Sequence, residues 1–220
     1  MAELILVRHG QASFGAEDYD KLSDLGWRQS RWLGEYFAER GAAFDGVVRG
    51  SLRRHAETLA GIAEGMGRTL DGTQDPRLNE YQADVLLRAH TGKDAFQKEG
   101  DRREHFRVLR SALYAWTDGS LELAPEHRFD VFREGVRGAL ADIRQRPGRR
   151  ILVVSSGGPI STILCEVLGM PARGVVDLNL QTRNTGVSEL QAGASRIHCV
   201  SFNNVPHLDR PDRAGALTYS

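Results

Sequence analysis

The sequence predicts an α/β fold: a three-layer α/β/α domain with a mostly parallel central sheet and a helical insertion forming a lid. Three observations carry this. The runs Leu4 to Val7 and Ile151 to Val154 are purely apolar, as strands buried on both faces are. Other stretches repeat their apolar residues at helical spacing. The two kinds of segment alternate along the chain, which is the order that builds a parallel sheet covered by helices. With 220 residues the chain reads as one domain over 1–220, with the insertion at about 80–126.

Each element has its own signal. After the Leu4 to Val7 strand, Leu22-Ser23-Asp24-Leu25-Gly26 opens a helix with Ser23 as N-cap. Trp32, Leu33, Tyr36 and Phe37 form its apolar face. Phe44 to Arg49 reads as a second strand, and Leu52, Ala56, Leu59 and Ala63 mark the next helix. A further strand is expected within 69–75, ending at Asp75-Pro76. From Glu80 to about Glu126 the chain is polar, with one helical stripe: Phe106, Leu109, Leu113 and Trp116. Phe129, Phe132, Val136, Leu140 and Ile143 make another helix before Pro147. Ile151 to Val154 feeds Ser155-Ser156-Gly157-Gly158-Pro159 and a helix closed by Gly169. Val187 to Leu190 and Arg196 to Phe202 read as a final strand pair, and the tail after Asn203 as irregular.

Composition narrows the function. Hydrophobic residues make up 40% and charged residues 26%, which excludes wholesale disorder. Acidic and basic residues number 29 each, so a generic nucleic-acid or polyanion binder is not expected. Of the 29 basic residues, all but Lys21, Lys93 and Lys98 are Arg, a bias that coding composition explains by itself. Cys165 and Cys199 have neither disulfide-framework nor metal-ligand spacing and read as buried free thiols. No apolar run approaches the ~18 residues of a membrane span. The start, Met1-Ala2-Glu3, lacks the basic region of a leader. The expectation is a cytoplasmic protein that needs no metal and no cofactor, with a phosphorylated small molecule as partner, no nucleic acid and no membrane. Its oligomeric state, a homodimer being one option, is not set by the sequence.

In open α/β sheets ligands bind beyond the carboxyl ends of the strands. At the first such end stands Arg8-His9-Gly10-Gln11-Ala12-Ser13. Arg holds phosphate oxygens bidentately, and a His nitrogen can attack phosphorus. At the second is Ser51-Leu52-Arg53-Arg54-His55-Ala56-Glu57-Thr58, where a helix N-terminus favours an anion. At the third, Ser155-Ser156-Gly157-Gly158-Pro159 has the small residues of a phosphate cradle. Its spacing is neither that of a Walker loop nor of a dinucleotide fingerprint. Taken singly, each has a bland reading: a surface Arg-His pair, a charged helix start, a turn.

Together, and with Arg77-Leu78-Asn79-Glu80 between them, these segments resemble the histidine phosphatase superfamily, also called phosphoglycerate mutase-like, over nearly the whole chain. The resemblance implies that His9 is transiently phosphorylated and that Arg8 and Arg54 clamp the phosphoryl oxygens. It also implies that Glu80 protonates the leaving group. Ser156, Gly157 and Ser13 would add phosphate contacts. Phosphatase is favoured over mutase, because the residues after Arg8-His9-Gly10-Gln11 lack the longer Trp- and Asn-containing pattern of the glycolytic mutases.

Two positions depart from the family pattern. Ser156 stands where the family has a second His, and Gly15 where many members have a phosphate-binding Asn. A neutral donor in place of a charged one should cost on the order of 1–3 kcal/mol, roughly 5- to 150-fold in rate. His55 or His207 could compensate, although a helix-face His and a surface tail His are their ordinary readings. Asn184, in a turn before a strand, could also reach the pocket. His90, His105 and His127 are expected to be solvated. Two alternatives stay open: a phosphate-ligand binding or regulatory protein with a vestigial site, and an interaction protein indifferent to phosphate. Specificity is expected from the insertion, which carries Tyr81, Phe96, Phe106 and Trp116.

Overall fold

The computed structural model describes residues 2–13, 20–92 and 102–219. Six strands form one sheet: β1 (Ala2–Arg8), β2 (Gly46–Arg49), β3 (Thr73–Gln74), β4 (Arg150–Ser155), β5 (Val187–Ala192) and β6 (Ile197–Asn204). Their order is β3-β2-β4-β1-β5-β6. The pairs β2/β3, β2/β4 and β1/β4 are parallel, whereas β1/β5 and β5/β6 are antiparallel. The helices are α1 (Asp24–Glu39), α2 (Arg53–Met66), α3 (Ala83–Thr91), α4 (Arg102–Thr117), α5 (Phe129–Arg144), α6 (Gly157–Leu168) and α7 (Gly174–Asn179).

The unbroken apolar runs are explained by burial on both faces. Leu4 and Leu6 of β1, with Ile151 and Val153 of β4, face a core shared with α5 and α6. Ile5, Val7, Leu152 and Val154 face the opposite core, with Leu33 and Phe37 of α1 and Leu59 and Ile62 of α2. Alternate side chains of a strand point to opposite faces, so one apolar run serves both layers. Ser23 caps α1 as expected, its hydroxyl accepting from Gly26 N at 3.1 Å. A third cluster joins Leu86 of α3, Leu113 and Trp116 of α4, Phe129 of α5 and Val175 and Val176 of α7.

Several expectations need correction. The strand within 69–75 shrinks to Thr73–Gln74, an edge strand paired over two positions. The short helix α7 carried no clear periodic signal. Cys165 is buried, but Cys199 is only half-buried, because β6 is an edge strand with one open face. Val200 beside it is 59% exposed. Of the first helix's apolar face, Leu33 and Phe37 are buried. Trp32 is half-buried and packs on Val205, Leu208 and Ala216 of the tail. The tail is irregular in path, as expected, and is packed against α1 through these contacts.

Candidate active site

The strand register gathers the sequence-predicted ends at one edge of the sheet. Arg8 pairs with Ser155, and Arg49 with Val154. His9 N donates to Ser155 O at 2.9 Å, and Gly50 N to Val154 O at 3.1 Å. Glu80 arrives from the neighbouring edge through a single 3-10 turn, Pro76–Leu78, pinned by Ser155 Oγ donating to Leu78 O at 2.7 Å. A fourth end comes from the turn at Asn184, which the sequence marks as one that could reach the pocket. Because β5 is antiparallel to β1, with Val187 opposite Val7, the turn before β5 also lies at this edge.

His9 is buried, 3% exposed, and its Nδ1 lies 2.7 Å from Gly10 O. A carbonyl oxygen only accepts, so Nδ1 carries the proton and Nε2 keeps its lone pair. Burial first, then the positive charges of Arg54 and Arg8, hold this imidazole well below its usual pKa. It is neutral at pH 7. Its carbonyl is held by Thr185 N and Asn184 Nδ2, both at 3.2 Å. Gly10 N donates to Thr58 Oγ1 at 3.0 Å, and that hydroxyl donates to Arg54 O at 2.7 Å, which braces the two motifs against each other.

Arg8 and Arg54 are each 8% exposed. Arg8 Nη1 donates to Thr182 O at 2.5 Å and to Thr182 Oγ1 at 3.1 Å. Arg54 Nη1 donates to Asp20 Oδ1 at 2.6 Å. Both guanidinium groups act electrostatically on a neutral nitrogen base, His9, and on a carboxyl, Glu80.

Glu80 is half-buried, with its carboxyl turned to the start of α6. Gly158 N donates to Oε1 at 3.1 Å and to Oε2 at 3.3 Å. Desolvation pushes its pKa up, and Arg54 and Arg8 offset part of that rise. The double glycine has a steric reason. A Cβ at Gly157 would overlap Asn179 Oδ1 and crowd Thr182 Oγ1; one at Gly158 would overlap Glu80 Oε1 and the Tyr81 ring.

Ser156 is completely buried, and so is His55. Ser156 Oγ and His55 Nε2 are 2.8 Å apart. His55 is therefore no helix-face residue: it enters the site from α2, its ring centroid 5.8 Å from that of His9. Ser13 stands at the margin, half-buried, its amide donating to Lys21 O at 2.9 Å. Gly15 and Phe96 lie outside the described residues.

His207 corrects the surface reading. It is 1% exposed, with Nε2 2.8 Å from Thr185 Oγ1, behind the turn that holds the His9 carbonyl and outside the crevice. Asn184 is fully buried, and its Oδ1 accepts from Thr218 Oγ1 of the tail at 2.9 Å. His90 is exposed as expected; His105 and His127 are half-buried. Trp116 Nε1 donates to His127 O at 2.7 Å, which ties that residue to α4.

A pocket of about 370 Å³ adjoins Glu80, lined among others by Tyr81, Leu86, Trp116, Phe132 and Arg77. Among the described residues no group of three His, Cys, Asp or Glu side chains could hold a metal ion. No helix among them is long and apolar enough to cross a membrane.

Comparison with known proteins identifies the family and the fold. The family model of the histidine phosphatase superfamily (branch 1) matches residues 4–205. The probable phosphoglycerate mutase GpmB of Cronobacter sakazakii is 28% identical over 223 residues, covering 96% of this chain and 97% of that protein. Among solved structures, Bacillus stearothermophilus YhfR superposes with a TM-score of 0.72 at 17% identity, covering 95% of this chain and 100% of its own. A mycobacterial glucosyl-3-phosphoglycerate phosphatase gives 0.65 at 20% identity, covering 92% and 99%. These structures speak for the α/β fold, and the family match spans nearly the whole chain: it belongs to the histidine phosphatase superfamily, branch 1.

Proposed function

We propose that this protein is a cofactor-independent phosphomonoester hydrolase that works through a phosphohistidine on His9. One observation carries the reading. A neutral imidazole, fixed by the Gly10 carbonyl with Nε2 unprotonated, shares two buried Arg with a carboxyl of raised pKa. A base whose pKa is pushed down and an acid whose pKa is pushed up are the pairing that acid–base assisted transfer needs.

In the first step the Nε2 lone pair forms a bond to phosphorus as the ester P–O bond breaks. Glu80 gives its proton to the departing oxygen. In the second step water attacks phosphorus, its proton passes to the Glu80 carboxylate, and the P–N electron pair returns to Nε2. Arg8 and Arg54 stabilise the charge on the equatorial oxygens in both steps. Ser156 adds a neutral hydroxyl where a charged donor would do more, at a cost on the order of 1–3 kcal/mol. Ser13 is assigned the outermost phosphate contact, and Gly157 a backbone one. The insertion containing α3 and α4 acts as a lid, and the pocket beside Glu80 takes the substrate's leaving group.

A mutase would run the same first half-reaction and return the phosphoryl group to a bound hydroxyl in place of water. The residues after Arg8-His9-Gly10-Gln11 favour water. The test is incubation with p-nitrophenyl phosphate beside a His9→Ala variant. Turnover that disappears in the variant, with an acid-labile phosphoenzyme trapped in the wild type, supports the reading. Undetectable wild-type turnover with tight phosphate binding would instead assign the vestigial, ligand-binding role.

A further inference from the structure

The contact between His55 and Ser156 is unusual for its surroundings. Ser156 occupies the N-cap position of α6, where a serine hydroxyl ordinarily accepts from the first-turn amides. It makes no such bond. The Gly158 amide is taken by Glu80 instead. The Ser156 hydroxyl is turned to His55 Nε2 at 2.8 Å, and both side chains are fully buried.

The direction of that bond follows from the other ring nitrogen. His55 Nδ1 is buried with no hydrogen-bond partner among the described residues. The Gly50 backbone lies beside it and acts to raise the ring's pKa, the smallest of the influences on it, but its approach falls outside hydrogen-bonding geometry. An orphaned buried N–H is rarer than an under-used acceptor. The proton therefore belongs on Nε2, and it is donated to Ser156 Oγ. The hydroxyl proton of Ser156 is then left to give. The buried, positively flanked setting keeps the ring neutral, with burial and Arg54 pressing its pKa down to about 3.

We propose that His55 is a positioning residue for phosphoryl transfer: its Nε2–H fixes the Ser156 oxygen so that the serine hydroxyl donates to a phosphoryl oxygen held at His9. The two residues would share the work of one donor, reaching in from α2 and α6. This rests on the reading of His9 as the phosphoryl acceptor. The opposite bond direction would make Ser156 a base-activated nucleophile, but it would bury the Nδ1 proton unpaired.

The test reads vanadate affinity, which does not depend on turnover, together with kcat and KM. Ser156→Ala and His55→Ala should each weaken vanadate roughly 10- to 100-fold, the range for one hydrogen bond to a charged group. The double variant should be no worse than either single one, because both remove the same donor. His55→Gln, which keeps an N–H, should recover most of the loss and guards against a folding defect in the Ala variant. Ser156→His alone should also lose affinity, because the new ring meets the His55 ring; paired with His55→Ala it should regain it.

Wild-type affinity in His55→Ala, or additive losses in the double variant, would overturn the proposal while leaving the His9 reading intact. An acid-stable phosphoserine at residue 156 would overturn both. Turnover that survives His9→Ala would sink the His9 reading alone, whatever the vanadate cycle shows.

Discussion

Asp20 holds Arg54: its Oδ1 accepts from Arg54 Nη1 at 2.6 Å, while its Oδ2 accepts from Arg53 N at 2.8 Å. One carboxylate thus caps the start of α2, whose N-cap residue Leu52 has no side chain to do so. It also occupies a guanidinium that a phosphoryl group would use. An anionic ligand must share Arg54 with Asp20 or displace it.

Asp20→Asn keeps an acceptor for the Arg53 amide and removes the competing charge. Inorganic phosphate should then inhibit more strongly, by roughly 1.5- to 5-fold, on the scale of a partly exposed ion pair. Inhibition kinetics against an aryl phosphate measure this. An unchanged or weaker inhibition constant would show that Asp20 positions Arg54 rather than competing for it.

The Glu80 carboxyl should matter in proportion to how badly a leaving group needs a proton. Glu80→Gln should lower kcat for an alkyl phosphate by about 10²- to 10⁴-fold, the usual worth of general acid catalysis. For p-nitrophenyl phosphate, whose leaving group is stable as an anion, the loss should stay under about 10-fold. The alkaline limb of kcat/KM for the alkyl substrate belongs to Glu80, whose raised pKa carries the acid form upward from the ordinary carboxyl range. The acid limb belongs to His9 and lies below 6.5. Equal losses on both substrates would remove Glu80 from the acid role.

Which of these residues the sequence could reveal follows from how far each contact travels. Arg8, His9, Arg54 and Ser156 follow directly from strands and helix starts, because a short apolar run marks where each strand stops. Glu80 was readable only through its place in an ordered set. Asn184, Thr185, His207 and Thr218 were not readable as a unit: they join His9 across some 170 to 210 positions, through a turn on an antiparallel strand. Thr185 holds a φ of 55°, rare for a β-branched residue, while the glycine beside it, Gly186, does not take up the left-handed conformation. His55 was visible, but its partner depended on α2 and α6 meeting across the sheet edge, which no local pattern encodes.

Three buried neutral histidines make the fold sensitive to acid. His55 and His207 are held at about 3, mainly by desolvation, and His9 well below its ordinary 6.5. Below pH 6.5 the unfolded chain takes up protons that the folded one refuses, so stability falls as pH drops. Each histidine contributes up to about 1.4 kcal/mol per pH unit, from 6.5 toward 3 for His55 and His207. Glu80, with its raised pKa, works in the opposite sense at lower pH. Unfolding free energy measured between pH 7 and 5 should decline steeply. His207→Gln, which keeps a donor for Thr185, should make that slope shallower by about one histidine's share. A variant slope equal to that of the wild type would place a charged His207 in the folded state.

The two adjacent glycines at the start of α6 should fail in different ways. An Ala at either position suits a helix start, and helix propensity alone favours it by roughly 0.8–1 kcal/mol. The cost is at the neighbours. At Gly158 the new methyl overlaps Glu80 Oε1 and the Tyr81 ring, so it drives the carboxyl off the amide it accepts from. At Gly157 it meets Asn179 Oδ1 and Thr182 Oγ1, and Thr182 is the residue that holds Arg8. Gly158→Ala should therefore copy Glu80→Gln, with kcat for an alkyl phosphate falling far more than for p-nitrophenyl phosphate. Gly157→Ala should loosen the phosphate clamp, raising KM and weakening inorganic phosphate on both substrates alike. Thermal melts run beside the kinetics separate these effects from unfolding. If both variants lose both substrates equally while staying folded, the glycines serve backbone packing alone, and the split between an acid side and a clamp side of this turn is wrong.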